Sequence, residues 1–141
     1  MIAGDTDGAL AVCTGSVDML FKDPIVDNGL IIMDWKRSKE IKMSSAYGKG
    51  TNPLTAQLDD CNYNHYSLQL TIYKQILEQY YGYTITGCYI VVLHPNQSEY
   101  LKIAARPVDE IVLKLFDQRR EVVRGLDKEN VEPNVKKVKV N

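Results

Sequence analysis

The sequence predicts an α/β domain in which a mixed central sheet of four to five strands is flanked by helices. Two β-hairpin patterns, each followed by a helical pattern, give the order β-β-α-β-β-α, which is typical of layered α/β folds. The 141 residues are 45% hydrophobic and 25% charged, the balance of one globular domain with a real core. We assign 1–124 to this core and 125–141, which lacks aromatic residues, to a charged tail or linker.

The first hairpin is predicted from residues 9–36. Residues 9–21 are rich in small and β-favouring side chains and are predicted to form one strand. The turn that follows contains Pro24 and Asn28-Gly29. The second strand, LIIMDWK at 30–36, is almost continuously apolar up to its end. Such a run indicates a central strand that is covered on both faces.

A polar connection over 37–62 leads to a predicted helix over 63–81. Asn62 or Asn64 would cap the start of this helix, and Gly82 suits its end. Steps of three and four residues define one helix face, which consists of Tyr66, Gln69, Leu70, Tyr73, Ile76, Leu77 and Tyr80.

The second hairpin comprises strands over 83–94 and 99–106, joined by a turn at 95–98. Pro107 then begins a helix that we predict over 108–124. Its apolar side consists of Val108, Ile111, Val112, Leu115, Phe116 and Val122 or Val123.

Composition excludes several classes of protein. The net charge of −1 is unlike that of a basic tail, so contact with nucleic acid would need a local patch. No apolar run is long enough to span a membrane, and the first residues do not resemble a signal peptide. Cys13, Cys61 and Cys88 are widely spaced, which predicts free thiols in a reducing intracellular compartment.

The end of the second strand places Asp34 and Lys36 two residues apart. The simplest explanation is a turn residue followed by a solvated lysine. However, a hairpin centred near residue 26 also places Asp18 opposite Asp34, since cross-strand partners then sum to 52. Two carboxylates roughly 4 Å apart repel by about 4 kcal/mol at an effective dielectric constant near 20. A shared proton, Lys36 or a divalent cation would offset this repulsion, or the three residues form a surface ion-pair cluster.

Oxygen ligands on a sheet suit Mg²⁺ or Mn²⁺, and a lysine beside such a site can activate water or stabilise charge on a phosphate. On the predicted helix, His65, Gln69 and Tyr73 are four residues apart and share a face. Each also has a structural interpretation: Gln69 as a hydrogen-bonded border residue, and His65 and Tyr73 as core residues.

The segments GSVDMLF, GLIIMDWK and HYSLQLTIYKQIL together resemble the PD-(D/E)XK nuclease superfamily, and within it the RecB-like exonuclease branch. The pattern typical of that branch is G-x-h-D, followed by h-h-D-h-K and then by Q-x-x-x-Y, where h is an apolar residue. The match covers residues 15–73, and the chain is also similar to nuclease domains of large DNA viruses. The resemblance implies a restriction-endonuclease-like core and a Mg²⁺- or Mn²⁺-dependent enzyme that hydrolyses DNA, as an exonuclease with little sequence specificity.

The resemblance also implies roles for individual residues. Asp18, Asp34 and the backbone carbonyl of Trp35 would ligate the metal. Lys36 would position or activate the attacking water, and Gln69 would reach toward Lys36 or the scissile phosphate.

The resemblance also implies which residues contact the substrate. DNA ends, single- or double-stranded, would contact Lys36, Gln69, Arg37, Lys39, His65 and Tyr73. From their positions in the long connection, Lys42 and Lys49 either extend a phosphate track or are solvated loop residues, and Tyr47 either stacks on a base or anchors the loop. His94-Pro95-Asn96 is interpreted as a turn.

The sequence departs from the branch at its start. RecB-like nucleases carry an upstream helix with a further acidic or histidine residue, whereas only residues 1–8 precede the first predicted strand. Asp5 or Asp7 could substitute, or a larger polypeptide or complex could supply the helix. The alternative is therefore a catalytically weak nucleic-acid-binding or assembly module. A hydrolase of small phosphoesters is a third hypothesis, which the basic connection disfavours. Three cysteines exclude the iron–sulfur subgroup.

Overall fold

The computed structural model describes residues 1–4 and 11–131. These residues form six strands and two helices. The elements are β1 (Ile2–Gly4), β2 (Ala11–Thr14), β3 (Met19–Lys22), β4 (Gly29–Lys36), α1 (Asn62–Tyr81), β5 (Thr84–Val92), β6 (Leu101–Ala104) and α2 (Asp109–Val131).

The main sheet has four strands in the order β3-β4-β5-β6. The β3–β4 and β5–β6 pairs are antiparallel, and the central β4–β5 pair is parallel. Parallel neighbours need a long crossover, and α1 with the connection before it supplies one. The prediction of a mixed α/β sheet flanked by helices is confirmed.

The register of the first hairpin is also confirmed. Met19 pairs with Met33 and Lys22 with Leu30, so each pair sums to 52 as predicted. The turn closes where Asn28 adopts a positive φ of 57° and the Asp23 N–H donates to the Gly29 carbonyl at 2.7 Å. Asp18 lies one residue before β3, on the side of the hairpin where Asp34 lies.

The prediction of one strand over 9–21 is wrong. β2 pairs with β1 in a separate two-stranded sheet, and only β3 joins the main sheet. The break follows β2 at Gly15, whose N–H and carbonyl bond to Met1 at 3.0 and 2.8 Å. Pairing with the first residues of the chain thus replaces pairing with β4. Asp5 and Asp7 lie outside the described residues.

Helix α1 confirms the predicted helix and its end, where Gly82 adopts the left-handed conformation with φ 70°. The predicted asparagine cap is wrong, because Cys61 occupies the N-cap position without a side-chain cap. Asn62 instead holds the long connection, accepting from the Lys42 N–H at 2.7 Å and donating to the Glu40 carbonyl at 3.0 Å. Asn64 donates to the Asp59 carbonyl at 2.8 Å.

Helix α2 begins as predicted but runs to Val131, beyond the expected end at 124. The first part of the predicted tail is therefore helical, and 132–141 lie outside the described residues. Neither α1 nor the described part of α2 is long and apolar enough to cross a membrane.

Helix α1 lies between the main sheet and α2, and it packs on both. The core between α1 and the sheet contains Ile32, Leu70, Leu77, Ile85, Ile90 and Val92. The core between the two helices and β1 contains Ala3, Leu58, Ile76, Val108, Val112 and Phe116. Because Leu58 belongs to this second core, the irregular connection after β4 is anchored to the domain.

The prediction that β4 is covered on both faces is wrong for one of them. Ile32 and Asp34 face α1 and are buried. On the other face Ile31 and Met33 are only half-buried, and Trp35 is exposed. The helices therefore cover one side of the sheet, where the acidic end of β4 meets α1.

Candidate active site

Two carboxylates meet at the carboxyl end of β4. Asp34 lies on the strand with only 2% of its surface exposed. Asp18 is exposed, and its Oδ2 accepts a hydrogen bond from the Trp35 N–H at 3.2 Å. That bond ties Asp18 to the backbone next to Asp34, so the hairpin brings the two acidic residues together as its predicted register requires.

Burial raises the pKa of the Asp34 carboxyl. The Lys36 ammonium opposes this rise, and the neighbouring Asp18 carboxylate adds to it. The net direction is upward, because the loss of water around Asp34 outweighs its favourable interaction with Lys36. A bound proton or a bound cation would therefore stabilise the Asp34 carboxylate.

Lys36 connects this carboxylate to α1. Its Nζ lies 2.6 Å from Asp34 Oδ2, and it donates to Gln69 Oε1 at 3.0 Å. Beyond this short contact with the ammonium, Oδ2 accepts no hydrogen bond from the residues that the structure describes. The buried carboxylate is therefore paired with a cation, as buried charges ordinarily are, and the ammonium is the one partner of this oxygen there.

Helix α1 supplies the other wall of the site. Gln69 accepts from Lys36 and donates through Nε2 to the Tyr73 hydroxyl at 2.8 Å. The Tyr66 ring lies below the ammonium, with Lys36 Nζ 4.5 Å from its centroid. These helix residues hold the ammonium of Lys36 in place from two directions.

The structure therefore brings together Asp18, Asp34, Lys36, Gln69 and Tyr73. Sequence interpretation missed the contact between Tyr66 and Lys36, because the helical spacing indicated only a core position. The available signal was that Tyr66 precedes Gln69 by three residues and so shares its face.

Gly15 is a second residue whose structural role was missed. A Cβ at this position would lie 2.4 Å from Tyr73 Cε1, well inside van der Waals contact. The first position of the G-x-h-D pattern is thus a glycine because the chain passes directly against the tyrosine ring that supports Gln69.

Replacing Gly15 with alanine is expected to destabilise the protein by about 1–3 kcal/mol, the usual cost of overpacking. The Tyr73 ring must move, which also strains its bond to Gln69. Urea unfolding measures this loss. Gly125→Ala is the control, because a Cβ there meets nothing within 4 Å and alanine favours a helix. A stable Gly15→Ala variant would show that Tyr73 is not held in place.

The remaining predicted contacts lie outside this cluster. His65 is exposed and its Nε2 lies 2.7 Å from Asp60 Oδ1. Arg37 and Lys39 are exposed and form no ion pair within the described part of the chain. Along the predicted phosphate track, Lys49 is ion-paired with Asp59.

Tyr47 and the predicted turn after β5 both lie on the surface of the protein. Tyr47 is fully exposed. The predicted turn after β5 is present, and in it His94 Nδ1 accepts a hydrogen bond from the Asn96 N–H at 3.2 Å.

The carboxylate pair fits a hard divalent cation. Asp34 offers a buried carboxylate whose Oδ2 contacts the Lys36 ammonium, and only one oxygen of Asp18 is engaged by the backbone. Mg²⁺ is commonly held by one or two carboxylates, with water and substrate phosphate as its other ligands. No larger cluster of histidine, cysteine, aspartate or glutamate ligands occurs within residues 1–4 and 11–131.

The three cysteines are free, as predicted. Burial raises the pKa of the Cys88 thiol to about 11, so it stays protonated at neutral pH. Because a protonated thiol is a poor nucleophile, we interpret Cys88 as a packing residue.

Fold and site together define an α/β domain with a carboxylate–lysine–glutamine constellation between a hairpin and a helix. Comparison of the chain with protein-family models, curated proteins and solved structures gives no match.

Proposed function

We propose that this chain is a Mg²⁺- or Mn²⁺-dependent nuclease that hydrolyses DNA phosphodiester bonds and belongs to the RecB-like branch of the PD-(D/E)XK superfamily. One observation carries the proposal: buried Asp34 has its Oδ2 2.6 Å from Lys36 Nζ, with Asp18 beside it and Gln69 bonded to the same ammonium. Groups with shifted pKa values concentrate at functional sites. The order and spacing of these residues resemble the family pattern.

Each residue has a role in this mechanism. Asp18 and Asp34, with the Trp35 carbonyl that the resemblance adds, would hold the metal. When bound, the metal would stabilise negative charge on the phosphate and lower the pKa of the attacking water. Lys36 orients that water or stabilises developing charge on the phosphate. Gln69 and Tyr73 keep the Lys36 ammonium in position, and positional precision of this kind accounts for much of enzymatic rate enhancement.

The proposed substrate is DNA with a single- or double-stranded end, cleaved as by an exonuclease with little sequence preference. Exposed Arg37 and Lys39 follow the site directly, and lysine and arginine contacts to phosphate carry no sequence information. A larger polypeptide or complex would supply the upstream helix that the family pattern contains.

The proposal is tested with end-labelled single- and double-stranded DNA in Mg²⁺, Mn²⁺ or EDTA. We expect metal-dependent products that disappear with Asp34→Ala and with Lys36→Ala. Asp27→Ala is the matched control, because Asp27 is an exposed carboxylate on the same hairpin. Absence of cleavage by the folded wild type under all conditions would overturn the proposal.

A second candidate is a nucleic-acid-binding or assembly module with weak catalysis. It is favoured by the small donor set, which comprises two carboxylates in the part of the chain that the structure describes. In that case DNA binding would persist in the Asp34 and Lys36 variants, and no variant or wild type would cleave.

A further inference from the structure

A recess lies at the carboxyl ends of β4 and β5, and its lining includes both Lys36 and Trp35. Its volume is about 1200 Å³. Trp35 alternates with Asp34 along the strand and so points into this recess from the other sheet face. The turn after β5 and the start of β6 form its other wall. The lining of this cleft also includes Arg37, Glu99, Tyr100 and Lys102.

Two large aromatic rings of the cleft contact solvent. Trp35 is 40% exposed and Tyr100 is 66% exposed. Isolated exposed rings are common, but here both line one concave surface. A flat ligand could stack on either ring.

The charges of the cleft favour an anion. Arg37 and Lys102 line it together with a single carboxylate, Glu99. Arg37 forms no ion pair within the described residues, and Lys102 Nζ lies 4.1 Å from the Tyr89 ring centroid without a carboxylate partner. Both cations are therefore available to phosphate groups.

We propose that this cleft binds single-stranded DNA, with bases stacked on Trp35 and Tyr100 and phosphates beside Arg37 and Lys102. Exposed aromatic rings interleaved with cations are the usual surface for single strands, because every base has a face that can stack. Paired bases in a duplex would not present those faces. The inference deepens the proposed function, since Lys36 belongs to both the cleft and the candidate active site, so the cleft would hold the strand beside the scissile phosphate.

Trp35 is the single tryptophan of the sequence, so its fluorescence reports directly on the cleft. The full chain is titrated in EDTA, which prevents cleavage, with an oligothymidylate of about six nucleotides. We expect saturable quenching that weakens with added salt. Thymidine monophosphate should quench weakly, and inorganic phosphate and a blunt duplex should not quench.

Tyr100→Ala should weaken oligothymidylate binding about five-fold or more, the effect of losing one base stack. Tyr83→Ala is the matched control, because Tyr83 is 49% exposed at the other end of β5. If the oligothymidylate caused no quenching, or if Tyr100→Ala and Tyr83→Ala bound it with equal affinity, the proposed binding of single-stranded DNA in the cleft would be wrong. Cleavage without quenching would contradict only the proposal that the cleft binds single-stranded DNA. Quenching without cleavage would contradict only the proposal that the protein is a nuclease.

Discussion

Asp34→Asn is expected to abolish metal-dependent cleavage and to leave the protein at least as stable as the wild type at pH 7. Loss of a metal-binding carboxylate should lower the cleavage rate by roughly three orders of magnitude, which corresponds to several kcal/mol of lost charge stabilisation. Stability should not fall, because burial of the charged carboxylate opposes folding and raises the pKa of Asp34. Asparagine keeps the shape of the side chain without the charge.

The pH dependence of this effect has a defined sign. Since the pKa of Asp34 is raised in the folded state, the folded protein binds the proton more tightly than the unfolded chain does. The carboxyl therefore contributes stability that is fully present below its ordinary pKa of about 4. That contribution is lost as pH rises through the raised value. The advantage of Asp34→Asn over the wild type should accordingly grow from acid to neutral pH.

Urea unfolding at several pH values measures this difference, and Asp27→Asn is the control on the same hairpin. Added Mg²⁺ should stabilise the wild type and leave Asp34→Asn unaffected, because only a carboxylate binds the cation strongly. If Asp34→Asn were clearly less stable than the wild type at pH 7, Asp34 would be a structural ion-pair partner. The metal-binding role would then lose its physical basis.

Local rules were sufficient to place the residues of the candidate site on two common faces. The position of the turn fixes the hairpin register, and the register places Asp18, Asp34 and Lys36 on one face. Helical spacing places Gln69 and Tyr73 together on one face of α1. That this helix face meets the hairpin does not follow from spacing and was expected only from the family resemblance; in the structure Lys36 Nζ donates to Gln69 Oε1 at 3.0 Å.

What the sequence did not predict depends on pairing between distant segments. β2 looks like the start of a strand that continues into β3, and only its pairing with β1 shows that it belongs to another sheet. The role of Gly15 depends in the same way on the approach of Tyr73 from α1. The cleft beside Trp35 requires the path of the turn after β5, which spacing along the chain does not determine.

Lys36→Met is expected to destabilise the protein by about 3 kcal/mol at pH 7, because it leaves Asp34 buried without its cation. Because the Lys36 side chain is 19% exposed, the loss of stability should lie at the lower end of the values measured when one partner of a buried ion pair is removed. The pKa of Asp34 should rise further, and the loss should therefore shrink as pH falls and the carboxyl becomes protonated. Urea unfolding against pH measures both effects, with exposed Lys22→Met as the control.

The double variant Asp34→Asn/Lys36→Met distinguishes a structural pair from a functional one. Removing both charges leaves no unpaired carboxylate, so we expect stability to return to the wild-type value or above it. Cleavage should stay absent in the double variant and in both single variants. Stability that remained low in the double variant would mean that the ion pair supports the fold. If stability recovered while cleavage stayed absent, neutral residues at positions 34 and 36 would support folding equally well. The charges of Asp34 and Lys36 would then be needed for cleavage and not for stability.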